Sequence, residues 1–255
     1  MKKIILFQLF IFGVKIVSAD CADFGMQFFP STKEISLNSK FIIQGYALSQ
    51  KTIDSFKNRI IYLESDNGKL IELNLQEILK GQMLLTQAIF YPVIALKPNT
   101  DYKLKYSNQT ENEVKAMMQY NKLTKEMEQV YWKTTTKKNL DTLNTSLNIK
   151  FKRTTVNYYG CGPSAMAIFD VNNQRESEIW YKTEVVEMKT NNKTIFYIKA
   201  QNAQLNVGHG MCSGAFTFNK KGLYKVRFKA LNTDGKLITA TQWHTFKSPF
   251  SDNQS

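Results

Sequence analysis

Three residues of the types that perform thiol or metal chemistry lie in the second half of the chain. Cys161 stands in the run Tyr-Gly-Cys-Gly-Pro, and His209 and Cys212 stand in the run His-Gly-Met-Cys-Ser-Gly. Cysteine and histidine can form a nucleophile and its base, or can supply ligands to a metal ion. These residues define one hypothesis for the function, an exported thiol- or metal-dependent enzyme centred on Cys161, His209 and Cys212.

A disulfide bond is the simpler use of these cysteines. Cys161 and Cys212 share a glycine-rich setting and the same half of the chain, and thiols that reach an oxidising compartment tend to pair. We therefore predict a Cys161–Cys212 disulfide, which leaves Cys21 unpaired. Such a bond would consume both thiolates, and no neighbouring motif supplies an oxyanion hole. The sequence accordingly predicts no catalytic residue, and we expect that the protein is not an enzyme.

The histidine content and the loop motifs limit the other chemistries. The chain has two histidines, His209 and His244, so three-histidine zinc sites and the His-Glu-x-x-His metalloprotease signature are excluded. It has no glycine-rich phosphate loop, no Gly-x-Ser-x-Gly elbow and no calcium-binding loop. We expect no metal site and no cofactor, and we interpret His244 as a surface residue or a satisfied residue of the last strand.

The N-terminus has the organisation of a secretory signal peptide. Two lysines precede the apolar run 4–14, and small residues lead to an expected cleavage after Ala19. The run is too short to span a bilayer, and no later segment is apolar enough to do so. Asp20 directly before Cys21 argues against a lipoprotein. We predict a signal peptide at 1–19 and a secreted or periplasmic protein without a transmembrane segment.

The chain is basic, and part of its charge follows a strand pattern. The formal net charge is +13, and removal of the three lysines within 1–19 leaves +10. Basic residues alternate with apolar ones in two predicted strands, which indicates basic side chains turned to solvent. The predicted basic binding face consists of Lys150, Lys152, Lys225, Arg227 and Lys229. Such a face attracts anionic polymers, whereas 30 Lys against 4 Arg argues against specific nucleic-acid binding.

Short β-branched and aromatic runs in the first half predict a strand-rich domain over 24–139. Two of these runs, 60–64 and 69–73, flank an Asn-Gly step and predict a β-hairpin. Tyr102 at the start of a later strand predicts a tyrosine corner, in which the hydroxyl bonds back to the preceding turn. The polar segment at about 107–128 has no regular apolar period, and we interpret it as a long hairpin loop with room for one helical turn.

The second half shows the same rhythm over 145–248, with a flexible tail predicted at 249–255. Apolar and polar residues alternate from Leu147 to Lys152, and an Asn-Thr-Asp-Gly turn precedes the last predicted strand. The remaining predicted strands cover 166–171, 178–186, 194–200, 215–218, 223–230 and 237–246. This spacing is typical of a β-sandwich.

These motifs resemble the bacterial immunoglobulin-like, fibronectin III-like domains of cell-envelope proteins. In the first half the resemblance lies in Phe29-Pro30, Ile35–Asn38, Phe41–Gly45, Leu96–Tyr102 and Trp132–Thr135. In the second half it lies in Cys161-Gly162-Pro163, Gly210–Cys212 and Lys221–Arg227. The resemblance implies an all-β protein of two tandem immunoglobulin-like β-sandwich domains behind the signal peptide, with no catalytic residues to carry over.

Together these observations predict an exported, non-enzymatic β-sandwich protein. Such a protein would act as a binding or scaffolding module at the cell envelope or outside the cell, because sandwiches present their end loops as contact surface. The expected partner is an envelope protein or an anionic envelope polymer.

Overall fold

Strands make up more than half of the residues that the computed structural model describes, which are 21–121, 124–136, 148–171 and 178–251. They form several sheets, so the predicted all-β class is confirmed at this level. The predicted signal peptide at 1–19 and the predicted boundary between 139 and 145 lie outside the described residues. Within the described ranges, no helix has the length and apolar character needed to cross a membrane.

The first half contains strands and two short α-helices. Its described elements are β1 (Phe24–Phe29), β2 (Glu34–Ile35), β3 (Phe41–Ala47), α1 (Gln50–Ser55), β4 (Ile61–Ser65), β5 (Leu70–Lys80), β6 (Leu85–Pro92), β7 (Asp101–Tyr106), α2 (Glu111–Ala116), β8 (Met118–Asn121), β9 (Glu126–Gln129) and β10 (Tyr131–Thr134). A 3-10 turn, Phe56–Asn58, follows α1 directly.

One eight-stranded sheet encloses the core of the first half. Its strand order is β1-β3-β6-β5-β4-β7-β10-β2, and the β8–β9 hairpin stands apart from it. Alternation of apolar and polar residues turns one face of each strand inward, and the inward side chains form one buried cluster. Trp132 lies in this cluster, edge-to-face with Phe41, and its indole N–H donates to the Pro30 carbonyl at 2.8 Å.

Two local predictions for the first half are confirmed. The hairpin β4–β5 turns through Asn67 and Gly68, and Gly68 has the positive φ of 77° that such a turn requires. The Tyr102 hydroxyl accepts a hydrogen bond from the Lys97 backbone N–H at 3.0 Å. This bond is the predicted tyrosine corner, and it fixes the turn that leads into β7.

The segment predicted as a long hairpin loop with room for one helical turn, 107–128, contains α2 and the β8–β9 hairpin, so it has more regular structure than a loop. A capping box starts the helix: the Thr110 side chain accepts from the Glu113 N–H, and the Glu113 carboxylate accepts from the Thr110 N–H. Met117 at the end of the helix is buried in the core of the first half. The irregular apolar spacing arises because a single helical turn and a short hairpin follow each other without a shared period.

The second half is built from strands and a final 3-10 turn. Its described elements are β11 (Ile149–Tyr159), β12 (Gly162–Val171), β13 (Ile179–Glu187), β14 (Lys193–Lys199), β15 (Gln204–His209), β16 (Leu223–Asn232), β17 (His244–Lys247) and the turn Pro249–Ser251.

These strands form a β-sandwich. The sheets β11-β12-β15 and β14-β13-β16-β17 face each other across a core in which Phe169, Phe216 and Phe228 are fully buried. A second tyrosine corner occurs here, because the Tyr224 hydroxyl accepts from the Asn219 N–H at 2.8 Å. The donor precedes the tyrosine by five residues, as it does at Tyr102.

Three predictions for the second half differ from the structure. Residues 215–218 are not a strand, because their backbone turns toward the first half: the Gln82 N–H donates to the Ala215 carbonyl at 3.0 Å. The strand in this region is β15 instead. Of the predicted strand 237–246 only β17 remains. The predicted tail begins with an ordered turn, because Pro249 is buried and Phe250 packs on the core.

An apolar cluster joins the two halves. It contains Ile42 and Ile89 from the outer face of the first sheet and Trp180, Tyr197 and Leu231 from the second half. Burial of apolar area on this scale contributes roughly 25 cal/mol per Å² and favours one fixed arrangement of the halves.

Glu178 anchors the edge of this junction. Its side chain is almost completely buried, and its carboxylate accepts from the Ser31 N–H at 2.6 Å and from the Trp180 indole N–H at 2.7 Å. Lys199 Nζ lies 3.6 Å from the same carboxylate. A buried carboxylate is tolerated only when it is hydrogen-bonded in this way.

Replacement of Glu178 by glutamine is expected to lower the free energy of unfolding by about 2 kcal/mol, because charge-assisted hydrogen bonds are lost and the new amide N–H group must face either the Ser31 N–H or the Trp180 indole N–H. Urea unfolding followed by tryptophan fluorescence measures the change. The matched control is Glu72→Gln on the exposed face of β5, which we expect to leave stability unchanged. Equal stability of the two variants would contradict an anchoring role.

The two tyrosine corners are expected to contribute equally to their own halves. Tyr102→Phe and Tyr224→Phe each remove one hydrogen bond to a turn and are expected to cost about 1 kcal/mol. Tyr120→Phe, on the exposed hairpin β8–β9, is the control and should cost nothing measurable. A loss confined to one of the two corners would show that they are not equivalent.

Candidate functional site

The disulfide of the structure joins Cys21 to Cys212, with Cα atoms 5.7 Å apart. The predicted Cys161–Cys212 bond is therefore wrong, as is the expectation of an unpaired Cys21. The cause is the contact between the halves. In the turn between β5 and β6, Met83 forms a β-bridge with Gly214, and the N-terminal residues lie beside this turn. Cys21 thus reaches Cys212 across 191 residues of sequence.

Cys161 lies beside this disulfide. Of the three cysteines, Cys161 is the one that carries a thiol. The sulfur atoms of Cys21, Cys161 and Cys212 all lie within 4.8 Å of one another. Cys161 occupies the turn between β11 and β12, next to the loop that carries Cys212. The structure therefore brings the two cysteines of the enzyme hypothesis together, and it adds Cys21 to them.

His209 does not belong to this cluster. It ends β15 with its side chain buried, and its Nδ1 lies 2.9 Å from the Gly210 carbonyl oxygen. Among the described residues, the group of potential ligand atoms around the sulfurs consists of the three cysteines alone.

A cleft of about 670 Å³ runs between the two halves. The first half contributes Gln27 and Tyr131, and the second half contributes Ile198, Asn206 and Ser213. Amides and hydroxyls therefore alternate with apolar side chains along its walls. Such a mixture of apolar surface with a few polar groups is usual for binding sites.

Three edge strands line the cleft. β1, β14 and β15 each lie at the edge of their sheet, and consecutive or alternate residues of all three face the cleft. An edge strand carries backbone N–H and C=O groups that its sheet does not use. An extended chain in the cleft could therefore bond to backbone groups of these edges other than those of Tyr197 and Gly208, which accept or donate bonds within the protein.

The side-chain amide of Gln87 forms hydrogen bonds with the backbone of one of these edge strands, β14. Gln87 is fully buried in β6, and its Nε2 donates to the Tyr197 carbonyl at 2.9 Å while its Oε1 accepts from the Tyr197 N–H at 3.1 Å. The side chain thus replaces a neighbouring strand for β14. Gln44 and Gln27 continue the row of amides toward solvent, with bonds of 2.8 and 3.0 Å.

A second polar contact crosses the junction near Gln87. Lys182 Nζ lies 2.8 Å from the Glu77 carboxylate, and the Tyr197 hydroxyl donates to the same carboxylate at 3.1 Å. Burial, reinforced by the Glu77 charge, raises the pKa of Tyr197. The hydroxyl therefore stays protonated and keeps its role as a donor.

The two lysines of the cleft are already paired. Lys33 Nζ lies 2.8 Å from Glu128 and 3.9 Å from the centre of the Tyr131 ring, and Lys199 lies near Glu178. Their charges are therefore largely balanced within the protein. This electrostatic balance favours a polar ligand of low charge over a polyanion.

The residues of the predicted basic face do not share one surface. Lys150 and Lys152 belong to β11, whereas Lys225, Arg227 and Lys229 belong to β16 in the opposite sheet. The outer faces of the two sheets point away from each other. Two of the charges are also paired within the protein, Lys152 with Asp170 at 3.0 Å and Arg227 with Glu184 at 2.7 Å.

Gln87 is a site residue that the sequence analysis missed. It lies in β6, close to Leu85 and directly before the apolar residues Ala88–Phe90. A side-chain amide is out of place among such core residues. That contrast was the available signal, because a buried polar group must find a partner. The partner itself, a strand 110 residues away, could not be identified from one sequence.

No family model and no curated protein matches the chain. Among solved structures it is similar to a pullulanase complexed with maltotriose from Anoxybacillus sp. LM18-11, with 8% identity, a TM-score of 0.26, and coverage of 88% of this chain and 25% of that chain. It is also similar to a chain of a cytokine receptor complex, with 10% identity, a TM-score of 0.26, and coverage of 89% and 98%.

A third similar structure is a DUF4785 family protein from Legionella pneumophila, with 9% identity, a TM-score of 0.24, and coverage of 91% of this chain and 58% of that chain. The chain spans about a quarter of the pullulanase chain. All three similarities are too distant to bear on function.

His244 lies on β17, where its ring packs against Phe169 and Phe228. Burial lowers the pKa of His244 from its usual value of 6.5. The folded protein therefore binds fewer protons than the unfolded chain as the pH falls below 6.5. It follows that this residue reduces stability in acid and ceases to do so as the pH rises above that value.

We expect the free energy of unfolding to rise with pH up to about 6.5, and His244→Gln to flatten this dependence. Urea titrations at several values between about pH 5 and 7.5 measure both slopes. Lys247→Gln, exposed on the same strand, is the control and should keep the wild-type slope. Parallel profiles for wild type and His244→Gln would rule out this contribution.

Proposed function

We propose that the protein is an exported, non-enzymatic binding protein that holds an extended segment of a partner protein in the cleft between its halves. The observation that carries the proposal is the set of three edge strands, β1, β14 and β15, around one cleft. An extended segment gains affinity from backbone hydrogen bonds to such edges, and it gains specificity from pockets for alternate side chains.

We further propose that both halves are immunoglobulin-like domains of the fibronectin III type. In favour of this, the second half places seven strands in sheets of three and four, and each half has a tyrosine corner. The sequence motifs that resemble envelope proteins support the same assignment.

Export is proposed from the signal sequence at 1–19 and from the disulfide Cys21–Cys212. Disulfides persist in oxidising compartments and are rare in reducing ones. The protein would therefore act in the periplasm, at the cell surface or outside the cell.

The absence of catalysis is likewise part of the proposal. In its support, Cys212 is bonded to Cys21, so the enzyme hypothesis lacks an available Cys212 thiolate, and His209 Nδ1 is hydrogen-bonded to its own loop.

A peptide segment is favoured over an anionic polymer because of charge. The lysines that line the cleft are paired with carboxylates, and the five residues of the predicted basic face are divided between two sheets. A polyanion needs a concentrated, unpaired positive surface.

Site-specific photo-crosslinking in the native envelope fraction tests the proposal. A benzophenone amino acid at Gln201, on the rim of the cleft, is expected to give one discrete, protease-sensitive adduct. The same group at Asn157, exposed on β11 and away from the cleft, is the control and should give none. Gln119→Trp, which narrows the cleft from the other wall, should reduce the adduct at Gln201 at least tenfold.

Three results would overturn this proposal. An adduct of equal yield at Asn157 would show that the cleft is not the site. A protease-resistant smear would indicate a polymer instead of a peptide segment. The lack of any adduct at Gln201 in the native envelope would exclude a partner in the cleft.

A further inference from the structure

We propose that Cys21, Cys161 and Cys212 form a thiol–disulfide exchange centre, in which Cys161 can replace Cys21 as the partner of Cys212. This inference is independent of the ligand proposed for the cleft. It rests on the position of a third sulfur within 4.8 Å of both sulfurs of a disulfide.

Two of the three cysteines are held by the fold of the second half. Cys161 lies in the tight turn of the β11–β12 hairpin, where Tyr159 pairs with Gly162. Cys212 lies in a loop closed by the backbone bond from the Gly210 N–H to the Ser213 carbonyl at 2.8 Å, and the Gly214 N–H after this loop donates to the Met83 carbonyl of the first half at 2.9 Å. Backbone hydrogen bonds around both residues therefore hold the sulfur atoms of Cys161 and Cys212 close to each other.

Cys21 is held differently. It lies before β1, and the first backbone hydrogen bond described in its segment joins the Leu48 N–H to the Asp23 carbonyl, two residues further on. Its sulfur can therefore leave Cys212 without breaking a strand. Of the three cysteines, Cys21 is therefore the one expected to leave as a thiolate.

The exchange is balanced without any other reagent. The Cys161 thiolate attacks the Cys212 sulfur, a Cys161–Cys212 bond forms, and the Cys21–Cys212 bond breaks. Cys21 leaves with the electron pair as a thiolate and takes up the proton that Cys161 lost. One thiol and one disulfide are present before and after, so nothing is oxidised or reduced overall.

The exchange changes what the protein presents to its surroundings. A bond between the two halves is replaced by a bond within the second half, and the thiol moves from the turn to the start of β1. At that place three apolar side chains are exposed, Phe24 at 68%, Leu48 at 58% and Leu84 at 50%. The position of the bond therefore decides whether Cys21 is tied to Cys212 or released beside this surface.

Thiol labelling of the wild-type protein tests the proposal. The protein is purified without reductant and incubated with iodoacetamide, a slow alkylating reagent, and samples taken over time are quenched in acid and mapped by non-reduced peptide mass spectrometry. We expect one label per molecule, on Cys161 in some molecules and on Cys21 in the others, because the exchange passes the thiol between the two residues before the slow reagent traps it. The exchange itself becomes faster at higher pH, because the thiolate is the attacking species. Label that stays on a single cysteine at all times overturns the proposal.

Two variants provide the controls. Cys161→Ser should contain only the Cys21–Cys212 bond and take up no label, and label on Cys21 in this variant would show that release does not need Cys161. Cys21→Ser should form the Cys161–Cys212 bond in oxidised glutathione. Folding of Cys21→Ser is checked by circular dichroism. Two free thiols in the folded variant would contradict the proposed pairing of Cys161 with Cys212. If this variant does not fold, the labelling of the wild-type protein decides. Neither result depends on crosslinking at Gln201.

Discussion

The side-chain amide of Gln87 bonds to both backbone groups of Tyr197, and this pair of bonds allows an edge strand of the second half to lie buried against the first half. A buried edge strand without partners would leave polar groups unsatisfied, at a cost of roughly 1–3 kcal/mol for each group. The amide removes that cost, so the apolar side chains around Trp180 can close the junction.

The cleft and the cysteine cluster both depend on this junction. The cleft has its walls on different halves, so it exists only while their relative position is fixed. The bond from Cys21 to Cys212 also crosses between the halves, and in the loop-entropy model closure of such a long loop contributes at most about 5 kcal/mol. The proposed exchange would remove this covalent link while leaving the contacts of Gln87 and Glu178 in place.

The sequence analysis was accurate where the interacting residues are close together in the chain, and it failed where they are far apart. The β4–β5 hairpin and the Tyr102 corner were predictable because both form between residues close together in the chain, with side chains that favour one geometry. The capping box at Thr110 was equally local and was overlooked because the helix that follows it is only six residues long. The strand expected at 215–218 failed because its backbone is used by the other half.

By itself the sequence determined the all-β class, the turns and the types of residue available for chemistry, because strand alternation and turn chemistry act between neighbours along the chain. It could not determine which cysteines pair, since Cys161 and Cys21 compete for Cys212 and only the packing of the halves sets their distances. The same holds for the cleft and for the division of the basic residues between two sheets. Those features depend on contacts between residues that are far apart in the chain, which only the tertiary structure specifies.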